Sequence, residues 1–183
     1  MFKLIRTAVV LAGLGGTGWI VLQMLGIDSF DALKARLSGS GLPVASTGTP
    51  VSGGRSNVIR VATFNIQVFG QEKLRKPEVM AVLANTVSRF DVVAIQEIRS
   101  QAQDVLPALV SQINAAGHQY DFVIGPRQGR TVSKEQYGYV FNTATVEVDR
   151  RTVAPVVDPH DLLHRPPLVA AFRARGAPPE EAF

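Results

Sequence analysis

The stretch Asp91-Val92-Val93-Ala94-Ile95-Gln96-Glu97-Ile98-Arg99 decides the fold. Its apolar run, Val92 to Ile95, lacks alternation, the pattern of a strand covered on both faces in an α/β sheet. A carboxylate and a guanidinium follow at its carboxyl end, where open α/β sheets bind ligands. Toward the N-terminus, Lys76 to Phe90 reads as a helix. Pro77 suits its first turn, and Val79, Leu83, Val87 and Phe90 recur at helical spacing. Before it, Val58 to Ile66 is a β-branched strand with the polar Asn65 near its end. Toward the C-terminus, residues 102–115 read as a helix with Pro107 as a kink and Gly117 beyond its end. Tyr120 to Ile124 is a strand and Gly125 to Ser133 a polar loop. Tyr137 to Asn142 with Val146 to Asp149 reads as a hairpin, and Leu168 to Phe172 as a last strand. Arg173 to Phe183, with Pro178 and Pro179, carries no element. This order predicts a layered α/β domain with a mixed sheet.

The chain has 183 residues, which fits one such domain plus an appendage. With no cysteine, disulfide frameworks, zinc–thiolate sites, iron–sulfur clusters and thiol nucleophiles are excluded. The charge is uneven. Residues 1–57 hold five basic and two acidic groups, leaving 14 basic and 13 acidic for 58–183. The net basicity therefore sits on the leader and linker, and gives no evidence that the domain binds nucleic acid. Lys3 and Arg6 precede a charge-free run from Thr7 to Ile27, ended by Asp28 and Asp31. At about 1.5 Å per residue a helix of that length spans roughly 31 Å, enough to cross a bilayer. A cleaved signal peptide would share the basic start. The length of the run and the lack of a small-x-small site after Gly26 favour an anchor with the domain outside the cytoplasm, and cleavage of the run would leave the domain secreted. Residues 38–57 contain fourteen Gly, Ser, Thr or Pro and read as a flexible linker with a reach of about 25 Å. The organisation is thus 1–37 anchor and flank, 38–57 linker, 58–183 domain.

Three features carry chemistry: Asn65 near the end of the first strand, Glu97 with Arg99 after the buried strand, and Arg130 followed by Ser133-Lys134-Glu135-Gln136-Tyr137. Asn65 and Glu97 fall at two strand tips and present hard oxygens. One carboxylate with a substrate phosphate is the usual way a protein holds Mg2+, and Arg99 adds a bidentate phosphate donor. Taken singly, Glu97 reads first as a solvated strand cap. His118 reads as a surface residue. His160 and His164, with Asp158 and Asp161, have loosely metal-like spacing inside a proline-rich loop.

Together these pieces resemble the first half of the endonuclease/exonuclease/phosphatase superfamily, and particularly its deoxyribonuclease I-like branch. The matching parts are Phe64-Asn65-Ile66, the Asp91 to Arg99 block, Gly129-Arg130 with Lys134-Glu135-Gln136-Tyr137, and Arg165-Pro166-Pro167-Leu168-Val169. The resemblance implies a deoxyribonuclease I-like layered α/β sandwich, present here as its first half. It implies Glu97 as metal ligand, with Asn65 beside the metal and the scissile phosphate. Arg99 would contact DNA and Arg165 would face phosphate. Glu135 would orient a catalytic histidine, and Arg130 belongs to the phosphate-facing loop. Mg2+ is the implied cofactor, with Ca2+ or Mn2+ as alternatives. Ser133 departs from a tyrosine that often packs into the DNA minor groove.

The family's Gly-Asp-Phe-Asn and Ser-Asp-His blocks do not occur in this chain. The expectation is a metal-dependent endonuclease, exported and membrane-tethered, whose 183 residues alone are inactive. One sheet face, carrying Phe64, Val93 and Ile95, would then lie partly uncovered and suit a partner. Rival readings are a phosphatase or phospholipid phosphodiesterase of the same superfamily, and a non-catalytic phosphate- or partner-binding module.

Overall fold

The computed structural model describes residues 4–9 and 58–183. The linker 38–57 and residues 10–27 of the charge-free run lie outside the described residues. Leu4–Val9 forms β1, which pairs in parallel with β2, Val58–Phe69, so Thr7, Ala8 and Val9 lie opposite Val61, Ala62 and Thr63. The start of the charge-free run therefore belongs to a sheet, not to a helix. Among the described residues no helix is long and apolar enough to cross a membrane.

After β2 come a one-turn helix α1, Gln71–Leu74, and α2, Pro77–Val87. Next are β3, Val92–Ile98, α3, Val105–Ala115, and β4, Tyr120–Ile124. Three strands follow: β5, Gln136–Asn142, β6, Val146–Pro155, and β7, Leu168–Ala174. The main sheet has the order β1-β2-β3-β5-β4, with β1, β2 and β3 parallel and β5 antiparallel to both β3 and β4. The second sheet is the antiparallel pair β6–β7. This is the layered α/β fold with a mixed sheet that the element order predicts.

Pro77 opens α2, and Met80, Leu83, Ala84 and Val87 bury one face of it. Pro107 does not kink α3. It falls in the first turn, where a missing N–H has no helical partner to lose. Both helices pack on one face of the sheet, with Phe64, Val93, Ile95, Ile98 and Val140 beneath them. The opposite face is covered near Ile59, Val92, Val123 and Phe141 by Val146 and Phe172 of the small sheet.

Three further sequence expectations need correction. β5 and β6 do not form a hairpin, because β3 and β4 already take both edges of β5. The chain turns out at Thr143–Thr145, where Thr145 Oγ1 donates to Asp91 Oδ1 at 2.6 Å, and β6 pairs with β7 instead. The uncovered face is not that of Phe64, Val93 and Ile95, which are all buried. An unbroken apolar run does not reveal which parity meets the helices. The half-buried residues are Val61, Thr63, Ala94, Gln96 and Tyr139, beside a shallow groove reaching Pro167 and Leu168. The tail is also ordered. Pro179–Glu181 forms a 3-10 turn, and Phe183 exchanges backbone hydrogen bonds of 2.8 and 2.9 Å with Phe172.

Candidate active site

Asn65 stands on β2 and Glu97 near the end of β3, neighbours whose ladder sets Asn65 opposite Gln96. Beyond that rung both strands leave regular geometry. Gln67 and Val68 have φ of 34° and 54°, and Glu97 has 58°. A branched side chain such as Val68 rarely adopts this region, and each such residue costs of order 1–3 kcal/mol. The Glu97 carboxylate holds the bend in place. Its Oε2 accepts the Val68 amide at 2.9 Å and its Oε1 accepts Asn65 Nδ2 at 3.0 Å. Asn65 Oδ1 in turn accepts the Gln67 amide at 2.8 Å. These partners fix the carboxamide's orientation, since the reverse would set oxygen against carboxylate and NH2 against N–H. Asn65 thus meets Glu97 as a donor, with its own oxygen committed to the bend.

Arg99 continues from β3 into a loop. Its Nε donates to Glu135 Oε2 at 3.2 Å and its Nη1 to Ser133 Oγ at 3.1 Å, while Nη2 lies 3.8 Å from Glu97 Oε2. Arg165 approaches Glu135 from the other side. Its Nε lies 2.9 Å from Oε1, an ion pair without an aligned N–H, and its Nη2 donates to the Ser133 carbonyl at 3.1 Å. Glu135 is buried, with 6% of its side chain exposed. Asn65, Glu97, Arg99, Glu135 and Arg165 therefore form one connected cluster at the carboxyl end of β3, where two carboxylates balance two guanidiniums.

The cluster's electrostatics favour an ionised Glu97. Burial pushes its carboxyl up, but the Asn65 and Val68 hydrogen bonds and the charges of Arg99 and Arg165 outweigh it, leaving the pKa below the usual 4.5. Burial, reinforced by the charges of Glu135 and Glu97 and opposed by Arg165, raises the Tyr137 phenol, so Tyr137 is a neutral hydroxyl beside the cluster. Glu97 offers a hard, partly exposed carboxylate that fits a divalent ion shared with substrate phosphate. Among the described residues no group of three or more His, Asp or Glu is placed to hold a metal.

Arg130 does not join the cluster. Its Nη2 donates to the carbonyls of Asp161 and Leu163 and lies 3.1 Å from Asp161 Oδ1. His160 and His164 are exposed on that same loop. Asp158 is spent on the amides of Leu162 and Leu163, at 3.1 and 2.7 Å. His118 is exposed and meets the edge of Tyr120 with ring centroids 6.1 Å apart.

Two supports escaped the sequence reading. Asp104 accepts Ser100 Oγ at 2.6 Å and Gln71 Nε2 at 2.6 Å, pinning the loop after Arg99. Arg127 donates to the carbonyls of Arg99, Ser100 and Lys134 at 3.2, 3.1 and 2.9 Å. Neither carries a motif that spacing could have exposed.

Residues 62–179 match the model of the Endonuclease/Exonuclease/phosphatase family. Human deoxyribonuclease-1-like 2 is 35% identical over 126 residues, covering 66% of this chain and 42% of that protein. Human deoxyribonuclease gamma is 30% identical over 95 residues, 50% of this chain and 31% of that protein. Human deoxyribonuclease-1 is 28% identical over 121 residues, 64% of this chain and 43% of that protein. The chain matches about two fifths or less of the length of these relatives. With the matched region taking in most of β2, all of β3 to β7, both main helices and every residue of the cluster, the chain belongs to the endonuclease/exonuclease/phosphatase family.

Proposed function

We propose that the cluster is the phosphate-binding part of a metal-dependent phosphodiester hydrolase whose substrate is DNA. The observation that carries this reading is the convergence of Arg99 and Arg165 on buried Glu135, with ionised Glu97 beside them. Guanidiniums held this way are preorganised for a phosphodiester oxygen, because their orientation is set before substrate arrives. Glu97, steadied by Asn65, would hold the ion, and Mg2+ fits its hard oxygens. When bound, the ion supplies charge stabilisation to a phosphoryl group under attack. Phosphodiester hydrolysis also needs a proton acceptor for water and a donor for the leaving oxygen. Among the described residues no histidine contacts the cluster, so we expect this chain to bind phosphodiesters without turning them over.

The test is fluorescence anisotropy with a short DNA duplex and with phospholipid headgroup analogues, each with and without Mg2+. Binding of DNA that Mg2+ strengthens, and that Glu97→Gln and Arg99→Met each weaken at least tenfold, is the expected result. Binding that ignores both substitutions would overturn the reading, and preference for the headgroup would move it to a lipid substrate. Plasmid nicking by the pure chain would show that the proton-transfer groups are present after all. We also read the part of the charge-free run beyond β1, residues 10–27, as an export or anchoring segment, a reading that rests on composition. Protease accessibility of the domain on intact cells is its test.

A further inference from the structure

The ladder between β3 and β5 ends at the rung Ile98–Gln136. Past it the two segments carrying the cluster, Arg99–Ser100 and Ser133–Glu135, share no backbone hydrogen bond. Arg99 leans the other way, its amide donating to the Phe69 carbonyl at 2.8 Å. The Glu135 segment pairs back on its own loop, through reciprocal Gln128–Glu135 bonds of 2.8 and 3.0 Å. Without another tie, the gap between Arg99 and Glu135 would rest on side chains alone.

Arg127 provides that tie. Its half-buried guanidinium sits where the missing rungs would run, with Nη1 on the carbonyls of Arg99 and Ser100 and Nη2 on the carbonyl of Lys134. Three acceptors on two segments suit a planar, forked donor, whose two terminal nitrogens serve one side each. Among the described residues no carboxylate pairs with Arg127, so its hydrogen bonds are spent on backbone geometry.

We propose that Arg127 is a positioning residue of the site, bracing the end of β3 against the Ser133–Glu135 loop so that Arg99 stays on Glu135. The proposal deepens the phosphodiester reading and rests on it for its functional consequence. Its structural half stands alone: loss of Arg127 should loosen the Arg99 Nε–H to Glu135 bond although Arg127 touches neither atom.

The experiment uses the full chain and two variants, Arg127→Met and Arg127→Lys. One measurement is the exchange rate of the Arg99 Nε–H by NMR of arginine-labelled protein. The other is anisotropy of a short DNA duplex in Mg2+. For Arg127→Met we expect at least tenfold faster exchange of that proton and about tenfold weaker binding, with global melting lowered by only a few degrees. Arg127→Lys keeps the charge and should recover little of either. Full recovery by lysine would overturn the proposal in favour of a simple charge effect, and unchanged exchange in Arg127→Met would overturn it outright. Faster exchange in a chain whose wild type binds no DNA would uphold the brace and sink the nucleic-acid reading instead.

Discussion

Glu135→Gln is the most informative single change. The carboxylate is buried and lies within 3.2 Å of Arg99 Nε and 2.9 Å of Arg165 Nε. The amide keeps the shape but removes the charge, leaving two guanidiniums facing a neutral group. Stranding a charge from a fully buried pair costs about 3–5 kcal/mol. Here Arg99 and Arg165 keep 33% and 23% of their side chains exposed, and water screens what remains. The expected loss is therefore about 2–3 kcal/mol, which for a domain of this size lowers Tm by roughly 6–12 °C. Urea unfolding followed by circular dichroism measures the loss directly. Adding Arg165→Met to Glu135→Gln should return part of it, with a coupling of at least about 1 kcal/mol between the two sites. A loss below about 0.5 kcal/mol, or strict additivity of the pair, would show that the cluster is an incidental arrangement of charges.

Glu97 makes stability depend on pH with a definite sign. Its carboxyl is lowered below 4.5 in the fold, so the unfolded chain takes up this proton first. The stabilisation is complete above the unfolded value and drains away as pH falls through the lower folded value. The stability difference between wild type and Glu97→Gln should shrink below pH 4.5, and a flat difference in urea melts from about pH 6 to 3 would contradict this. Asn65→Asp places a second carboxylate where Nδ2 now lies 3.0 Å from Glu97. It should cost about 1–2 kcal/mol at pH 7 and much less at pH 4, read from thermal melts at both. Val68→Gly removes a β-branched residue from φ 54°. It should be neutral or stabilising by up to about 1 kcal/mol, and a clear destabilisation in urea would mean that Val68 packs more than its exposure suggests.

The sheet was legible where one periodicity dominated. Val92–Ile95, the α2 stripe and Tyr120–Ile124 all fall where the pattern places them. What sequence could not weigh was competition for edges. The Val146 strand follows the Tyr137 strand closely, yet it finds no free edge on β5. Nor could it choose the parity of an unbroken apolar run, which is why Phe64 was assigned to the wrong face. Asn65, Glu97, Arg99, Glu135 and Arg165 were selected because four separated blocks resemble one family, and the fold brings these five together. Arg130, chosen on the same ground, is captured by the Asp161 loop. Arg127 left no trace in the sequence, since a side chain that bonds only to carbonyls can serve almost any neighbouring residues.

The cluster straddles the seam between β3 and β5: Glu97 and Arg99 reach it from one side and Glu135 from the other. Those two strands are about forty residues apart along the chain, and such distant pairing is a slow, all-or-none event. No half-assembled sheet can offer both walls, so a molecule that occupies this place has affinity only for the finished fold. Each tenfold excess of ligand over its dissociation constant would then raise the cost of global unfolding by about 1.4 kcal/mol. Occupancy of the cluster can therefore be followed as a rise in melting temperature, without any measurement of turnover.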